Sequence, residues 1–302
     1  MLETLIYCSS LSIIGKVKNR ILRQFSQLEI IDRYARKRYY ARKKQHRERL
    51  PKISTFEREI VAQLEETGVC VTHLNELNCH NTKQFWDSCS SIMSTLINTI
   101  PTEKDRYFIK ATGKHITEYP DLFLWGLNES LLKIVENYLS LPVAYHSVYV
   151  RRDLANNRIE RSRLWHIDKE DRKMLKIIIY FNDVSDRNGA FQYIPKKISS
   201  AISQQHRYNY QYINDSKMNS LLSAANWVSC PGKAGTVIFT DTANTFHRGL
   251  LPQDAERLSV FFDYTSAVPW RSYYCKSIFS PQELRTFEPL LSPRQKECVF
   301  WR

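Results

Sequence analysis

The sequence predicts an α+β protein whose core is a mainly antiparallel barrel or jelly roll. Two observations carry this prediction. Helix-type apolar periodicity prevails before Pro142, whereas short runs rich in β-branched and aromatic residues follow it. Turn sequences such as Asp186-Arg187-Asn188-Gly189 and Pro231-Gly232 separate several of these runs. Helices followed by many short strands are typical of the α+β class.

Composition places the chain among proteins that can bury a core. Of 302 residues, 43% are hydrophobic, and no run of 18 apolar residues predicts a membrane-spanning helix. The start, Met1-Leu2-Glu3, lacks the basic segment of a secretory signal. The seven cysteines are scattered and never spaced as Cys-x-x-Cys, which argues against a disulfide framework and a structural zinc site. We therefore expect a cytoplasmic protein.

The basic charge is concentrated in an N-terminal arm. Residues 1–50 carry 13 Lys and Arg against 4 Asp and Glu, whereas the remaining residues carry 31 against 27. Neither Gly nor Pro occurs between Gly15 and Pro51, so a helix is predicted there. We predict a basic helical arm over residues 1–52 and a folded domain over residues 53–302.

The arm has two interpretations. It could bind anionic lipid headgroups, nucleic acid or a partner through residues 1–50, with the protein peripheral to a membrane in the first case. Alternatively, it is a solvated helix that packs on the domain through its Leu, Ile and Tyr side chains. No recognised nucleic-acid-binding motif accompanies the charge, so no specific nucleic acid is expected.

The elements of the domain follow in order. Ser54-Thr55-Phe56-Glu57 predicts a capped helix that Gly68 ends, before a short strand at Val69–Val71. Periodicity predicts two more helices near Thr82–Asn98 and Asp121–Leu139. The polar, Tyr-rich segment Ser199–Ala225 is interpreted as a partly helical insertion between strands. The predicted later strands are Val143–Val150, Lys173–Phe181, Ala190–Ile194, Thr236–Phe239 and Leu258–Tyr264.

The segment Leu164-Trp165-His166-Ile167-Asp168 is a candidate metal site. Alternate residues of a strand share a face, so His166 and Asp168 would project into the same cavity. A second histidine from a distant strand would complete a 2-His-1-carboxylate triad, which leaves open coordination positions on the metal. His247, just after the apolar run at 235–239, is the best candidate for that histidine.

Ten residues beyond His247, Arg257 and Ser259 share a face of the next predicted strand. A guanidinium binds the distal carboxylate of a dicarboxylic cosubstrate bidentately, and a hydroxyl adds one hydrogen bond. A buried arginine in a small barrel would otherwise need an internal acid partner.

With these residues in this order, the chain resembles the phytanoyl-CoA dioxygenase-like branch of the Fe(II)/2-oxoglutarate-dependent oxygenases. The resemblance covers roughly residues 54–267. The segments that carry it are Trp165-His166-Ile167-Asp168, Lys176–Val184, Gly189–Pro195, Gly235–Gly249 and Arg257-Leu258-Ser259, with a weaker match over Phe56–Leu74.

The resemblance implies a double-stranded β-helix, a cupin-like jelly roll, with supporting N-terminal helices. It implies that residues 53–302 form an oxygenase domain that uses Fe(II), 2-oxoglutarate and O2 on a small-molecule substrate. It also implies that Lys176 contacts 2-oxoglutarate. Asp168 retains the carboxylate that halogenating relatives replace with a small residue, so a halogenase is disfavoured.

The predicted activity is hydroxylation of an aliphatic carbon in a small-molecule or lipid-like substrate, with release of succinate and CO2. The same site could instead give desaturation, cyclisation or epimerisation. A cupin-like barrel without redox chemistry is an alternative of another class, and the Arg257-x-Ser259 pair argues against it. A membrane-tethered scaffold with an inactive barrel is a third, and the complete triad argues against that.

Overall fold

The computed structural model describes residues 29–102 and 107–301. They form α-helices and antiparallel β-sheets, which confirms the predicted mixture of both. The chain divides into two compact units, residues 1–49 and residues 50–302. Among the described residues, no helix is long and apolar enough to cross a bilayer.

The described part of the first unit is one helix, α1 (Glu29–Arg47). Its 19 residues include eight Lys and Arg but only two acids. Lys44, His46 and Arg47 stand in the last turn, where cations interact favourably with the C-terminal end of the helix dipole. The part of the predicted helical arm that covers residues 1–28 lies outside the described residues.

Helices open the second unit. Ser54 caps the first of them: its hydroxyl accepts from the Glu57 N–H at 3.2 Å, and the Glu57 carboxylate accepts from the Ser54 N–H at 2.7 Å. This is the predicted capping box. The helices before the long strands are α2 (Thr55–Glu66), α3 (Thr82–Asn98), α4 (Gly113–Glu118), α5 (Pro120–Trp125) and α6 (Glu129–Leu139).

The single helix predicted over Asp121–Leu139 is wrong, because the chain breaks at Gly126 between α5 and α6. A Cβ atom at Gly126 would lie 2.5 Å from the Phe262 ring and 2.6 Å from the Tyr145 hydroxyl. The Gly126 carbonyl accepts from the Tyr264 hydroxyl at 2.6 Å. The backbone thus approaches the sheet where a side chain has no room, and its carbonyl bonds to the sheet instead of continuing a helix.

Nine strands occur among the described residues. They are β1 (Val69–His73), β2 (Phe108–Lys110), β3 (Val143–Asp153), β4 (Leu175–Tyr180), β5 (Phe191–Tyr193), β6 (Val228–Cys230), β7 (Thr236–Asp241), β8 (His247–Gly249) and β9 (Arg257–Ser266). Three of them, β2, β6 and β8, were not predicted: each is three residues long and, unlike β5, none lies within one of the longer strand-like runs. Strand β3 also continues three residues beyond its predicted end.

The strands form two antiparallel sheets. The larger has the order β1-β7-β4-β9-β3-β2, and the smaller has the order β6-β5-β8. Successive side chains of β4 point to opposite faces of the larger sheet, and each face packs in a different apolar cluster. Ile177 and Ile179 belong to the large apolar cluster with the helices, whereas Ile178 and Tyr180 pack with residues of the smaller sheet. The second face is therefore the one that can enclose a cavity between the sheets.

The predicted insertion is partly helical, as expected. It contains α7 (Lys196–Gln205) and α8 (Asp215–Leu221). Trp165 and Phe246 are fully buried in an apolar cluster with residues of this insertion, so the insertion packs against the segments that carry His166 and His247. Two short helices, α9 (Pro281–Thr286) and α10 (Pro293–Val299), end the described chain.

Candidate functional site

His166 and Asp168 lie in a short extended segment rather than in the regular strand that their spacing predicts. His166 and His247 form an isolated antiparallel bridge, with N–H to carbonyl distances of 3.1 and 3.0 Å. The Asp168 N–H donates to the Thr242 carbonyl at 2.8 Å. Trp165, the preceding residue, forms a second isolated bridge, to Ile213 of the insertion. The bridge places the two histidines side by side.

The side chains of His166, Asp168 and His247 converge. One potential ligand atom from each lies within 4.8 Å of the other two. The Nε2 atoms of both histidines are 3.9 Å from carboxylate oxygens of Asp168. The structure thus brings together the three side chains that the sequence singles out, although they are up to 81 residues apart.

Backbone carbonyls determine which nitrogen of each histidine is free. Nδ1 of His166 lies 2.8 Å from the Leu164 carbonyl, and Nδ1 of His247 lies 3.0 Å from the Thr245 carbonyl. Since a carbonyl only accepts hydrogen bonds, each Nδ1 carries the proton of a neutral ring. Each Nε2 therefore presents its lone pair to Asp168 and to the space between the three side chains.

The charges of the three groups suit a divalent cation. Burial, with a contribution from neighbouring His166, lowers the pKa of His247 to about 3. Burial also lowers the pKa of His166. Burial opposes ionisation of Asp168, but Lys176 and the two histidines hold its pKa well below the usual range. The set is then two neutral imidazoles and one carboxylate, the donors that non-haem Fe(II) accepts.

Lys176, the residue expected to contact 2-oxoglutarate, lies beside the triad. Its Nζ is 2.8 Å from Asp168 Oδ2. In the pairing of β4 with β9, Lys176 stands opposite Asp263, whose pKa burial raises to about 6. Burial opposes the charged form of Lys176, yet these carboxylates raise its pKa. Lys176 is therefore a cation that holds the Asp168 carboxylate.

Arg257 is buried and has an internal acid partner, which the sequence does not identify. Its Nε and Nη2 donate to Asp153 Oδ2 at 3.2 and 3.0 Å, and its Nη1 donates to the Gly189 carbonyl. The two residues stand opposite each other in the pairing of β3 with β9. A Cβ atom on Gly249 of β8 would come 2.9 Å from Arg257 Nη2, so the smaller sheet also approaches this guanidinium closely.

Asp153 is shared by a second arginine. Nε of Arg151 donates to both Asp153 oxygens at 3.0 and 2.9 Å, and Nη2 donates as well. Burial opposes ionisation of Asp153, but Arg151 and Arg257 lower its pKa. One carboxylate therefore faces two guanidinium groups. This buried cluster retains one positive charge, which an anionic ligand can neutralise.

Ser259 lies two residues after Arg257 on β9. In the sheet it is opposite Arg151 on one side and Tyr180 on the other. Its hydroxyl is buried, and it has no hydrogen-bond partner among the residues that the structure describes. An unmade buried hydrogen bond is costly, and a carboxylate bound at Arg257 would complete it.

One cavity of about 320 Å³ is lined by the triad, Lys176, Arg151 and Arg257. Both sheets and the insertion contribute to its wall. Tyr212 of the insertion is 51% exposed, and its ring centroid is 5.3 Å from that of His166. The cavity-lining side chains used below are Phe108, Lys110, Tyr149, Arg151, His166, Asp168, Lys176, His247, Arg248, Arg257, Phe261 and Asp263.

Sequence reasoning missed Arg151 and Asp153. Both follow Val150, where the predicted strand ends, although the strand continues to Asp153. The alternation of Arg151 and Asp153 is the signal that could have placed them on one face. Lys110 and Tyr212 had no such signal, because β2 is three residues long and the insertion lacks strand periodicity.

Several solved structures are similar to the chain. SnoN, a non-heme alpha ketoglutarate dependent epimerase from nogalamycin biosynthesis, is 13% identical, with 70% of this chain and 83% of that chain covered and a TM-score of 0.46. HygX from Streptomyces hygroscopicus, with nickel, 2-oxoglutarate and hygromycin B bound, is 14% identical; the match covers 69% of this chain and 87% of that chain, with a TM-score of 0.46. EctD from S. alaskensis, with 2-oxoglutarate and 5-hydroxyectoine, is 17% identical; the match covers 74% of this chain and 85% of that chain, with a TM-score of 0.49. No family model and no curated protein matches the chain.

Proposed function

We propose that the chain is a non-haem Fe(II), 2-oxoglutarate-dependent oxygenase in which His166, Asp168 and His247 hold the metal. The convergence of these three side chains within 4.8 Å is the observation that carries the proposal. Three ligands leave three coordination positions for 2-oxoglutarate and O2. When bound, Fe(II) supplies the oxidising chemistry, in which 2-oxoglutarate becomes succinate and CO2 while the substrate is oxidised.

The residues around the triad have positioning roles in this proposal. Arg257 binds the distal carboxylate of 2-oxoglutarate, and the orphan hydroxyl of Ser259 donates to the same group. Lys176 keeps the Asp168 carboxylate in one orientation. Contact between Lys176 and 2-oxoglutarate stays a prediction. The walls of the cavity exclude water from the open side of the triad.

The finer fold and family assignments are proposals of the same kind. Two antiparallel sheets that face each other across the cavity support a cupin-like, double-stranded β-helix core. Membership of the phytanoyl-CoA dioxygenase-like branch is supported by the sequence motifs. Hydroxylation of an aliphatic carbon is the proposed outcome, with desaturation, cyclisation or epimerisation as alternatives on the same site. A non-redox cupin-like barrel would not need the cationic cluster around Arg257.

Binding of 2-oxoglutarate tests the proposal. Arg257→Ala should weaken 2-oxoglutarate binding by about 2–4 kcal/mol, which is about 30-fold to several hundredfold in affinity, because a bidentate charge-assisted contact is lost. The measurement is an anaerobic titration of the Fe(II)-loaded protein with 2-oxoglutarate, followed through the charge-transfer absorption of the complex.

The matched control for this titration is Arg187→Ala. Arg187 also pairs with an aspartate, Asp254, but its side chain is 65% exposed and lies outside the cavity lining. The Arg187→Ala variant should therefore leave the dissociation constant of 2-oxoglutarate unchanged. Equal affinities of the Arg257→Ala variant and the unaltered protein would reject Arg257 as the cosubstrate anchor. Absence of any 2-oxoglutarate binding to the Fe(II)-loaded, unaltered protein would reject the proposed function.

We also propose that the arm, residues 1–50, is not needed by the site and that it holds a cytoplasmic protein at an anionic membrane or recruits a partner. Each Lys or Arg near an anionic membrane contributes about 1 kcal/mol, and salt screens such contacts over about 8–10 Å. A protein beginning at Lys52 should retain the 2-oxoglutarate turnover that occurs without substrate, but it should lose low-salt sedimentation with anionic liposomes.

Two results would count against this view of the arm. Loss of cosubstrate turnover in the shortened protein would mean that the arm is part of the folded core. Failure of the full-length chain to sediment with liposomes at low salt would leave the solvated, packed helix as the better interpretation.

A further inference from the structure

Five cationic side chains line the cavity, and four of them have a carboxylate partner. Arg151 and Arg257 share Asp153, as described above. Arg248 pairs with Asp215, and Lys176 pairs with Asp168. The fifth cation, Lys110, makes no ion pair with any residue in the described ranges.

Lys110 lies at the opening of the cavity. It ends β2, stands opposite Arg151 in the sheet, and is exposed to solvent. Its Nζ is 5.7 Å from the centroid of the Tyr149 ring. Partial burial, together with the charges of Arg151 and Lys276, lowers the pKa of Lys110. A cluster of cations with one shared acid therefore extends from this opening toward Arg257.

Lys276 is a second cation near Tyr149, although it lines a neighbouring cavity of about 170 Å³ and not this one. The Tyr149 hydroxyl donates to the Lys276 carbonyl at 3.4 Å, so the backbone there lies against the cavity wall. The Lys276 side chain is exposed, and it forms no ion pair with residues 29–102 or 107–301. Lys110, through its ammonium group, and Lys276, through its backbone carbonyl, thus both approach Tyr149 of the cavity wall.

The charge of the loaded site favours an anion at this edge. Four of the five cations have carboxylates beside them, namely Asp153, Asp168, Asp215 and Asp263, and Glu170 is a further carboxyl group near Lys176 and Asp168. Fe(II) and the dianion 2-oxoglutarate would add equal and opposite charges. Lys110 remains the cavity-lining cation without a carboxylate partner among the described residues, and complementary charge is what a specific ligand supplies at such a site.

Part of the cavity wall is aromatic. The Arg151 guanidinium lies 4.7 Å from the centroid of the Phe108 ring and 5.1 Å from that of Phe261. With Tyr149, these rings contribute aromatic surface to the same cavity that the metal ligands line. A ligand that fits would combine one charged end with an apolar body.

We propose that the substrate is an organic anion, a carboxylate or a phosphate ester, whose charged group binds Lys110 and Lys276 while its apolar part extends toward the triad. The distance between the anionic group and the triad would then select the carbon that is oxidised. This inference rests on the proposed function for the chemistry, but the anion site can be tested without turnover.

The experiment measures binding of three probes to the full-length protein by ligand-observed NMR. The probes are 4-phenylbutyrate, its amide 4-phenylbutanamide, and 3-phenylpropyl phosphate. Titrations are made with Zn(II) and saturating 2-oxoglutarate, so that the Arg257 site is occupied, and repeated without both. With Zn(II) and 2-oxoglutarate, both anions should bind about fivefold more tightly than the amide, because a partly exposed ion pair contributes up to about that factor.

Two lysine variants test which residues cause the preference for the anions over the amide. Lys110→Gln and Lys276→Gln should each reduce the advantage of the anions over the amide by about fivefold or to nothing, and leave the amide and 2-oxoglutarate affinities unchanged. Lys114→Gln, an exposed lysine outside the cavity lining, is the control and should change nothing. Equal binding of amide and anions, absence of saturable anion binding, or full retention of the preference in both variants would overturn the proposal.

The two proposals fail separately. If Arg257→Ala leaves 2-oxoglutarate affinity intact while Lys110→Gln abolishes the anion preference, the cosubstrate assignment is wrong and the anion site stands. If Arg257→Ala weakens 2-oxoglutarate but the probes show no preference for charge, the oxygenase site stands and the substrate is not an anion of this class.

Discussion

His166→Ala and His247→Ala are each expected to abolish stoichiometric Fe(II) binding and to leave the fold intact. Each variant removes one of three ligand atoms that lie within 4.8 Å of one another. Two remaining ligands, one of them a carboxylate that is already paired with Lys176, hold a divalent cation poorly. Elemental analysis after anaerobic reconstitution measures the iron content of each protein.

His206→Ala is the matched control for iron binding. His206 is exposed at the end of α7 and does not line the cavity, so this variant should bind one iron per chain. Circular dichroism checks that all three variants are folded. Full iron occupancy in both His166→Ala and His247→Ala would refute the assignment of the triad as a metal site.

Asp153→Asn is expected to destabilise the domain by about 3–5 kcal/mol, because it leaves the buried guanidinium of Arg257 and the partly buried one of Arg151 without their shared carboxylate. Asp153 is 2% exposed, and it accepts hydrogen bonds from both Arg151 and Arg257. Urea unfolding of the apoprotein at neutral pH measures the change in the free energy of unfolding. Asp254→Asn, in the exposed pair with Arg187, is the control and should cost less than about 1 kcal/mol.

The pH dependence of unfolding separates a charge effect from a packing effect. The pKa of Asp153 is lower in the folded protein than in an unfolded chain. Its contribution to stability is therefore complete above about pH 4 and is lost as the pH falls through the lower, folded-state pKa. The Asp153→Asn variant should lack this part of the acid-induced loss. If the free energy of unfolding changes by less than 1 kcal/mol, Arg151 and Arg257 do not depend on Asp153.

Local sequence patterns predict the elements that are long or chemically marked. The capping residues Ser54 and Glu57 predict where α2 begins, and periodicity predicts both ends of α3. In each case the signal and the structure involve residues a few positions apart. The break at Gly126 escapes this reasoning because its cause is the approach of Phe262 and Tyr145, which are distant in sequence.

The sequence alone indicates most of the chemistry of the candidate site, although it does not give the geometry. His166 and Asp168 are two residues apart, and Arg257 and Ser259 alternate in the same way, so each pair could be assigned to one face. Residue types limit what such pairs can bind: imidazole and carboxylate suit a metal, and guanidinium suits a carboxylate. The uneven charge between residues 1–50 and the remainder is likewise a property of composition alone.

The tertiary structure decided which of these groups meet. Asp153 reaches Arg257 because β3 and β9 pair in one register, and Lys110 lies opposite Arg151 because β2 adds to the edge of the same sheet. A shift of one residue in either pairing would turn these side chains to the other face. Register depends on packing across the whole sheet, so no local pattern encodes it. The sequence by itself thus determined the kinds of groups present, whereas only the folded chain determined the shared carboxylate and the cationic opening of the cavity.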